Sequence, residues 1–142
     1  MKAAVYYGPN KVDVTDVPEP DPGPGTVKVQ VGFNGICGTD LHEYYAGPIF
    51  VPTEPHPLTG AQLPIVMGHE FSGTITALGE GVTGWAEGDR VAIEPIYRCG
   101  RCGPCRAGTY NICAQIGFHG LMSDGGMAEY TVVPTDMLHK LP

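Results

Sequence analysis

Short apolar runs separated by turn residues dominate the pattern of hydrophobic and polar positions along this chain. Alternating apolar and polar positions, or brief apolar runs bounded by turn residues, are typical of strands. Such stretches cover residues 2–7, 12–17, 27–31, 71–78, 90–94 and 127–133. Six or so short strands with little helix predict a mainly β fold, either an all-β barrel or a sandwich.

One short helix and one long loop interrupt the predicted strands. Residues 40–46 are compatible with one or two helical turns, with Thr39 or Asp40 as the N-cap. Residues 46–64 contain five prolines and are predicted to form an irregular loop. Because loops of this length inside a compact domain are often functional, this loop is a candidate functional segment.

A glycine-rich stretch follows the strand predicted at residues 71–78. Gly79, Gly81 and Gly84 match the G-x-G-x-x-G pattern of dinucleotide-binding sites. That pattern has to be followed by a helix within a βαβ unit. Here another turn follows at residues 88–89, and the next segment is predicted as a strand. We therefore interpret the glycines as turn residues between antiparallel strands and predict no cofactor-binding residue in this chain.

Composition and charge narrow the class of protein. The chain has 142 residues, enough for one domain with a buried core. Its net charge of −7 argues against a nucleic-acid partner, which requires a basic surface. No apolar segment is long enough to span a bilayer, and the N-terminal apolar stretch is too short for a signal peptide. We therefore expect no membrane partner and a cytoplasmic location.

Four of the five cysteines lie close together, at Cys99, Cys102, Cys105 and Cys113. An odd number of cysteines excludes complete disulfide pairing within the chain, and C-x2-C spacing with turn residues lets one short segment wrap a tetrahedral zinc ion. Since such a site has no open position, this zinc is predicted to be structural. An iron–sulfur cluster is the alternative, although the ferredoxin spacing places the fourth cysteine three residues on, followed by proline. Arg98, Arg101 and Arg106 flank the block and are expected to offset its negative charge.

A second set of metal-binding side chains lies outside this block: Cys37, His69 and Glu70. A thiolate, an imidazole and a carboxylate, with one position left open, match the ligand set of a catalytic zinc. Gly68 allows the backbone turn that lets two neighbouring side chains serve one metal. The alternative is a strand whose first residues happen to be polar.

The remaining candidates are one hydroxyl and several histidines. Thr39 and His42 follow the first of these ligands, and together they provide a path for a proton away from a metal-bound oxygen. From spacing alone, an exposed helix residue is the simpler interpretation of His42. His56 and His119 have no predicted partner and are interpreted as loop histidines. His139, near the C-terminus, is interpreted as incidental.

Four segments together resemble one enzyme family: Cys37-Gly38-Thr39-Asp40-Leu41-His42, Gly68-His69-Glu70-x2-Gly73-x5-Gly79, Gly88-Asp89-Arg90-Val91 and the four-cysteine block. They are similar to the N-terminal, GroES-like catalytic domain of the zinc-dependent medium-chain alcohol dehydrogenases, and the resemblance covers all 142 residues. Within that superfamily, residues 42–44, 47–50, 56–60 and 68–73 most resemble (R,R)-2,3-butanediol dehydrogenases. Sorbitol and threonine dehydrogenases are similar but usually lack so long a loop between residues 47 and 63.

The resemblance implies a GroES-like β-barrel with short helices and a zinc-binding lobe. It implies a catalytic zinc on Cys37, His69 and Glu70, and a structural zinc on the four clustered cysteines. It also implies that Thr39 and His42 carry the proton of the substrate hydroxyl towards solvent, while the hydride passes to NAD or NADP. Residues 46–64 are then expected to line or cover the substrate pocket.

The resemblance further implies that residues 1–142 are the N-terminal part of the catalytic domain. The nucleotide-binding Rossmann domain is expected after Pro142, so that neither NAD binding nor turnover is expected of this chain alone. The full-length enzyme is expected to be a homo-oligomer that oxidises a secondary alcohol or vicinal diol, with 2,3-butanediol and acetoin as the favoured pair. The alternatives are a sorbitol- or threonine-type dehydrogenase domain, or a zinc-stabilised β-barrel that acts as a binding module.

Overall fold

The computed structural model describes all of residues 1–142 and consists mainly of short strands. The strands are β1 (Lys2–Gly8), β2 (Lys11–Asp16), β3 (Thr26–Asn34), β4 (Ile65–Val66), β5 (Phe71–Leu78), β6 (Arg90–Ile93), β7 (Ile96–Tyr97), β8 (Gly117–Phe118), β9 (Tyr130–Pro134) and β10 (Leu138–Lys140). The helices are α1 (Gly38–Ala46) and α2 (Gly103–Arg106), with 3-10 turns at Tyr110–Ile112 and Thr135–Met137. No helix is both long and apolar enough to cross a membrane. The predicted mainly β fold is confirmed.

All six predicted strands are present, as β1, β2, β3, β5, β6 and β9, with ends that differ by up to three residues. The four strands absent from the prediction, β4, β7, β8 and β10, contain only two or three residues each. Strands this short show no measurable alternation, because a period of two needs several residues to repeat. Their existence depends on the strands beside which they lie.

Three antiparallel sheets build the fold. The largest has the order β10-β6-β5-β3-β9, the second has the order β2-β1-β4, and β7 pairs with β8. In the large sheet, Val29 lies opposite Ile75 and Val27 lies opposite Val133, so that these side chains share one face. That face forms the main core, whose buried members are Val27, Val29, Phe71, Ile75, Val91, Ile93, Val133, Met137 and Leu138.

A smaller core anchors the proline-rich loop. Its buried members are Tyr6, Val51, Ile65, Met67 and Leu121. Residues 47–64 contain neither helix nor strand, as predicted, yet Val51 is only 3% exposed. The loop is therefore held to the body of the domain at this residue, and its other residues lie around that anchor.

The glycine-rich connection between β5 and β6 contains no helix. Ser72 pairs with Ala92 and Thr74 with Arg90, which makes the two strands antiparallel neighbours. Gly81, Gly84 and Gly88 have positive φ values of 74°, 79° and 89°, which glycine adopts without steric cost. The interpretation of Gly81 and Gly84 as turn residues between antiparallel strands is thus confirmed.

The start of α1 differs from the prediction. Its N-cap is Cys37, and the predicted N-caps Thr39 and Asp40 lie inside the first turn. The backbone N–H of Cys37 donates to Asp40 Oδ2 at 2.9 Å, which closes a capping box. An extended backbone at Cys37, with φ −82° and ψ 156°, allows the helix to begin at the following glycine.

Candidate metal centres and the adjoining cavity

Strand pairing brings the first set of candidate ligands together. β3 ends and β5 begins at the pair Asn34–Phe71, so the residues after β3 lie beside those before β5. The backbone N–H of Gly35 donates to the carbonyl of Glu70 at 2.7 Å, which extends this contact one residue further. As a result, the donor atoms of Cys37, His69 and Glu70 lie within 4.8 Å of one another.

Gly68 provides the turn that places His69 and Glu70 on the same site. Its φ of +100° lies in the left-handed region, and an added Cβ would come within 2.6 Å of both Asn34 Oδ1 and the backbone nitrogen of Met127. A side chain at this position is therefore excluded both by backbone conformation and by packing. His69 is buried, Cys37 is half-buried and Glu70 is exposed, so the site opens to solvent on the side of the carboxylate.

Asp40 supports His69 from inside the domain, and sequence reasoning missed this role. His69 Nδ1 lies 3.4 Å from Asp40 Oδ1, and Asp40 is only 4% exposed. The nearby Asp40 carboxylate raises the pKa of His69 to about 9. Below that pKa both ring nitrogens carry protons, and a metal would displace the proton on Nε2 while Nδ1 keeps its proton towards Asp40. This is how a carboxylate orients a histidine that binds a metal.

The thiol of Cys37 lies at the N-terminus of α1. Backbone and side-chain hydrogen bonds from Thr39, with a smaller contribution from His69, hold the pKa of Cys37 below its usual range. Its Sγ lies 3.6 Å from Thr39 Oγ1. A thiol with a lowered pKa is a ready metal ligand, because the thiolate is the form that binds.

A cavity of about 230 Å³ adjoins these ligands. It is lined by Thr39, Phe50, His69, Pro95, Phe118 and Leu121. Apart from the threonine and the histidine, the lining is apolar. Of the two predicted proton-transfer residues, Thr39 lines the cavity, whereas His42 lies exposed on α1, one turn further on. The long loop contributes Phe50. A larger cavity of about 750 Å³ has neither cysteine nor histidine in its lining.

The four clustered cysteines also lie around one point. Their sulfur atoms are within 4.8 Å of one another, with Cys99 Sγ 4.0 Å from Cys105 Sγ and Cys102 Sγ 3.9 Å from Cys113 Sγ. These distances are about twice a disulfide bond, and all four cysteines are free. Backbone N–H groups of residues 101 and 102 lower the pKa of Cys99 to about 6, whereas desolvation raises the pKa of Cys105 to about 12. Without a cation, the four sulfurs cannot all ionise; a bound divalent metal removes that conflict.

The flanking arginines were expected to offset the negative charge of the cysteine block, but two of them contact other groups. Arg98 pairs with Asp136 at 2.9 Å and lies over the ring of Tyr110, with its Cζ 4.4 Å from the ring centroid. Arg101 donates to the side chain of Gln115 at 3.2 Å. Arg101 thus connects two parts of the four-cysteine lobe, and Arg98 connects this lobe to the 3-10 turn before β10.

The three remaining histidines have partners that sequence reasoning did not find. His119 is 1% exposed, and its Nδ1 lies 3.0 Å from Tyr97 Oη while its Nε2 lies 3.0 Å from Thr131 Oγ1. His119 lies in the turn after β8, as its interpretation as a loop histidine requires, but it is buried and hydrogen-bonded, which was not predicted. His56 Nε2 lies 3.1 Å from the carbonyl of Ile116, and His139 Nε2 lies 3.5 Å from Glu94 Oε2.

Several proteins that are similar to this chain are named as dehydrogenases. The model of the family described as alcohol dehydrogenase GroES-like domain matches residues 23–142. The (R,R)-butanediol dehydrogenase of Bacillus subtilis is 46% identical over 144 residues, which cover 100% of this chain and 40% of that protein. A sorbitol dehydrogenase of Halalkalibacterium halodurans is 42% identical over 145 residues, covering 100% of this chain and 39% of that protein. The chain thus spans about 40% of the length of the curated relatives it matches.

Solved structures show the same fold. A crystal structure of 2R,3R-butanediol dehydrogenase from Bacillus subtilis superposes with a TM-score of 0.92 and 46% identity, over 99% of this chain and 40% of that one. A thermostable alcohol dehydrogenase from Pyrobaculum aerophilum, solved with cobalt and zinc bound, superposes with a TM-score of 0.83 and 29% identity, over 99% of this chain and 41% of that one. The predicted GroES-like fold is confirmed.

Proposed function

This chain belongs to the alcohol dehydrogenase GroES-like domain family, and on that premise we propose that it is the zinc-binding catalytic domain of an NAD(H)-dependent alcohol dehydrogenase. The proposed substrate is a small secondary alcohol or vicinal diol. The observation that carries the proposal is the convergence of Cys37, His69 and Glu70 at the edge of a small, mostly apolar cavity. A protein that only binds partners has no need of an open three-ligand site beside a cavity.

The ligand atoms fit zinc in number and in kind. One sulfur, one nitrogen and one oxygen leave a position open, as in catalytic zinc sites. Asp40 favours this use of His69, because it orients the ring through Nδ1. Zinc bound there supplies a Lewis acid for the substrate oxygen.

The chain's own residues then bind the alcohol and move its proton. The apolar lining from Phe50, Phe118 and Leu121 surrounds the carbon substituents and excludes water. The hydroxyl of Thr39, which lines the same cavity, would accept the proton of the substrate hydroxyl and at the same time release its own proton towards His42. His42 lies exposed three residues later on α1 and passes that proton to solvent.

The cysteine lobe is proposed to hold a structural zinc. Four cysteine ligands leave no position for a substrate, and such a site contributes directly to folding. The lobe also contacts the residue that follows β6, since the Tyr110 hydroxyl donates to Glu94 Oε1 at 2.9 Å. We propose that this zinc keeps the lobe ordered beside the cavity wall at Pro95. Free thiols at both sites suit a reducing compartment, and we propose the cytoplasm.

The cavity favours a short diol over a polyol. 2,3-Butanediol carries two methyl groups, which suit an apolar lining, and two hydroxyls, for which Thr39 and the metal are available. Sorbitol is the second candidate because a sorbitol dehydrogenase is among the relatives. Its six hydroxyls would be left with few partners in this lining. The nucleotide, NAD or NADP, is proposed to bind to a further domain of the full-length chain, which we also propose to be a homo-oligomer.

The experiment that tests the proposal measures NADH formation by the full-length enzyme, with zinc present, on 2,3-butanediol and on sorbitol. We expect turnover of butanediol and its loss in Cys37→Ala. The matched control is Cys105→Ala, which should lower the yield of folded protein without abolishing the catalytic ligand set. Activity in Cys37→Ala equal to that of the unmodified enzyme would contradict the proposed site. Activity on sorbitol alone would support the proposed mechanism but would show that the substrate is sorbitol and not butanediol.

A further inference from the structure

Glu43 is a buried carboxylate with no cation beside it. It lies on α1, its side chain is fully buried, and it takes part in none of the ion pairs of the structure. Its carboxylate instead accepts hydrogen bonds from three consecutive backbone N–H groups: Ile49, at 3.0 Å to both oxygens, Phe50, in a close contact, and Val51, at 3.3 Å. A buried charge is stable only when it is hydrogen-bonded in this way. The loop after α1 is therefore wound around this carboxylate.

The backbone of Glu43 is held as firmly as its side chain. Its carbonyl accepts from the Tyr6 hydroxyl at 2.7 Å and from the backbone N–H of Gly47 at 2.9 Å. A Cβ on Gly47 would overlap that carbonyl and the Tyr6 hydroxyl, and would come within 2.6 Å of Glu43 Oε2. The turn closes so tightly over the carboxylate that only glycine fits at this position.

Two of the three residues bound by this carboxylate, Phe50 and Val51, send their side chains to different places. Val51 is 3% exposed and belongs to the smaller core, together with Leu121. Phe50, its neighbour, is 43% exposed and lines the cavity beside Thr39 and His69. Residues 49–51 form a bend whose backbone is anchored to one carboxylate, so this anchor sets the directions of both side chains.

We propose that Glu43 is a positioning residue that fixes Phe50 as a wall of the substrate cavity, and so limits the size of the carbon substituents on the alcohol. The reaction itself rests on the function proposed above, whereas the anchoring of the loop is a property of this chain. Glu43 reaches the substrate only through Phe50 and is not a catalytic residue.

Loss of the carboxylate charge is expected to release this wall. In Glu43→Gln the side chain keeps its volume, but the charge is lost and an NH2 group replaces the oxygen that accepts only from Ile49. The remaining carbonyl oxygen then holds the three N–H groups through neutral hydrogen bonds, which are weaker than those to a carboxylate. In Glu43→Asp the charge is kept, but the side chain is one methylene too short to reach the same N–H groups. In both variants we expect Phe50 to move away and the cavity to admit longer substituents.

The test has two measurements. The first is amide hydrogen exchange at residues 49–51 in the zinc-loaded full-length enzyme, which needs neither nucleotide nor turnover. The second is the ratio of kcat/KM for 3,4-hexanediol to kcat/KM for 2,3-butanediol in the zinc-loaded full-length enzyme. Phe50→Ala serves as the positive control. Tyr6→Phe is the matched control, since it removes a hydrogen bond to the same residue but leaves the carboxylate untouched.

We expect faster exchange at Phe50 and about a tenfold rise in the ratio for both Glu43 variants, since one methylene per substituent is discriminated by roughly this factor. Phe50→Ala should raise the ratio similarly, and Tyr6→Phe should leave it unchanged. Faster exchange with an unchanged ratio would overturn the proposal, as would a Tyr6→Phe variant that shifts the ratio equally. If the unmodified enzyme oxidises neither diol, the proposed function fails; unchanged exchange at Phe50 in Glu43→Gln would overturn the positioning role independently.

Discussion

The buried histidine His119 makes a quantitative prediction about acid stability. Its two ring nitrogens face the hydroxyls of Tyr97, Thr131 and Ser123, at 3.0, 3.0 and 3.2 Å, and its ring lies 5.3 Å from that of Phe71. No carboxylate is among these contacts. Burial therefore lowers the pKa of His119 from 6.5 to about 3. The folded protein keeps this imidazole neutral under conditions in which the unfolded chain protonates it.

The sign and size of the effect follow from this difference. Between the two pKa values, the unfolded chain binds one more proton than the folded chain, so the free energy of unfolding falls as the pH falls below about 6.5. With the pKa of His119 at about 3, this residue alone should lower the free energy of unfolding by about 2 kcal/mol at pH 5. The full effect, about 5 kcal/mol, is reached only near pH 3.

Urea unfolding between pH 8 and pH 5, with zinc in excess, measures this contribution. In His119→Gln the side chain still bonds to hydroxyls but no longer titrates, so its loss of stability on acidification should be about 2 kcal/mol smaller than in the unmodified chain. Other titrating groups, the zinc ligands included, contribute equally to both proteins and cancel. The control is His139→Gln, because His139 is exposed. Equal pH dependence in the unmodified chain and in His119→Gln would refute the reasoning.

Three further predictions concern the two metal sites. Cys102→Ser should cost several kcal/mol or prevent folding, because structural zinc contributes directly to stability, and metal analysis that finds iron in place of zinc would contradict the assignment. A competitive chelator should empty the three-ligand site before the cysteine lobe, which a zinc-release titration with two separate phases would show. Gly68→Ala should destabilise the chain by about 3 kcal/mol in chemical unfolding, since it combines a positive φ with overlap at Asn34 and Met127, whereas Gly81→Ala, which meets no neighbour, should cost less.

Much of the fold was predictable because its signals are local. β5 could be bounded at Phe71–Leu78 from its own composition, and the turn glycines after it were recognised by the strand that follows. The cysteine lobe was equally local, since fifteen residues hold all four sulfurs. That either ligand set binds zinc stays a prediction, although the structure brings the side chains of each set together.

Other features of the site could not be predicted, because the residues that create them are far apart in the sequence. Asp40 is recognisable as a helix-cap residue, but only the pairing of β3 with β5 places it beside His69. Glu43 looks like an ordinary helix glutamate until the loop folds back over it. A single signal was available: a glutamate followed within a few residues by glycine and proline, which marks a tight turn.

The amino-acid sequence by itself determined the strand class, the turns and the identity of the candidate ligands, because alternation, glycine placement and cysteine spacing act within a few residues. The tertiary structure alone decided burial and partners. His119 lies in a turn, as predicted, yet only the fold buries it between Tyr97 and Thr131, and β4 exists only because β1 lies beside it. Both features depend on hydrogen bonds between segments that are distant in the sequence. Only the packing of the sheets decides whether a polar side chain is hydrogen-bonded to another part of the protein or exposed to water.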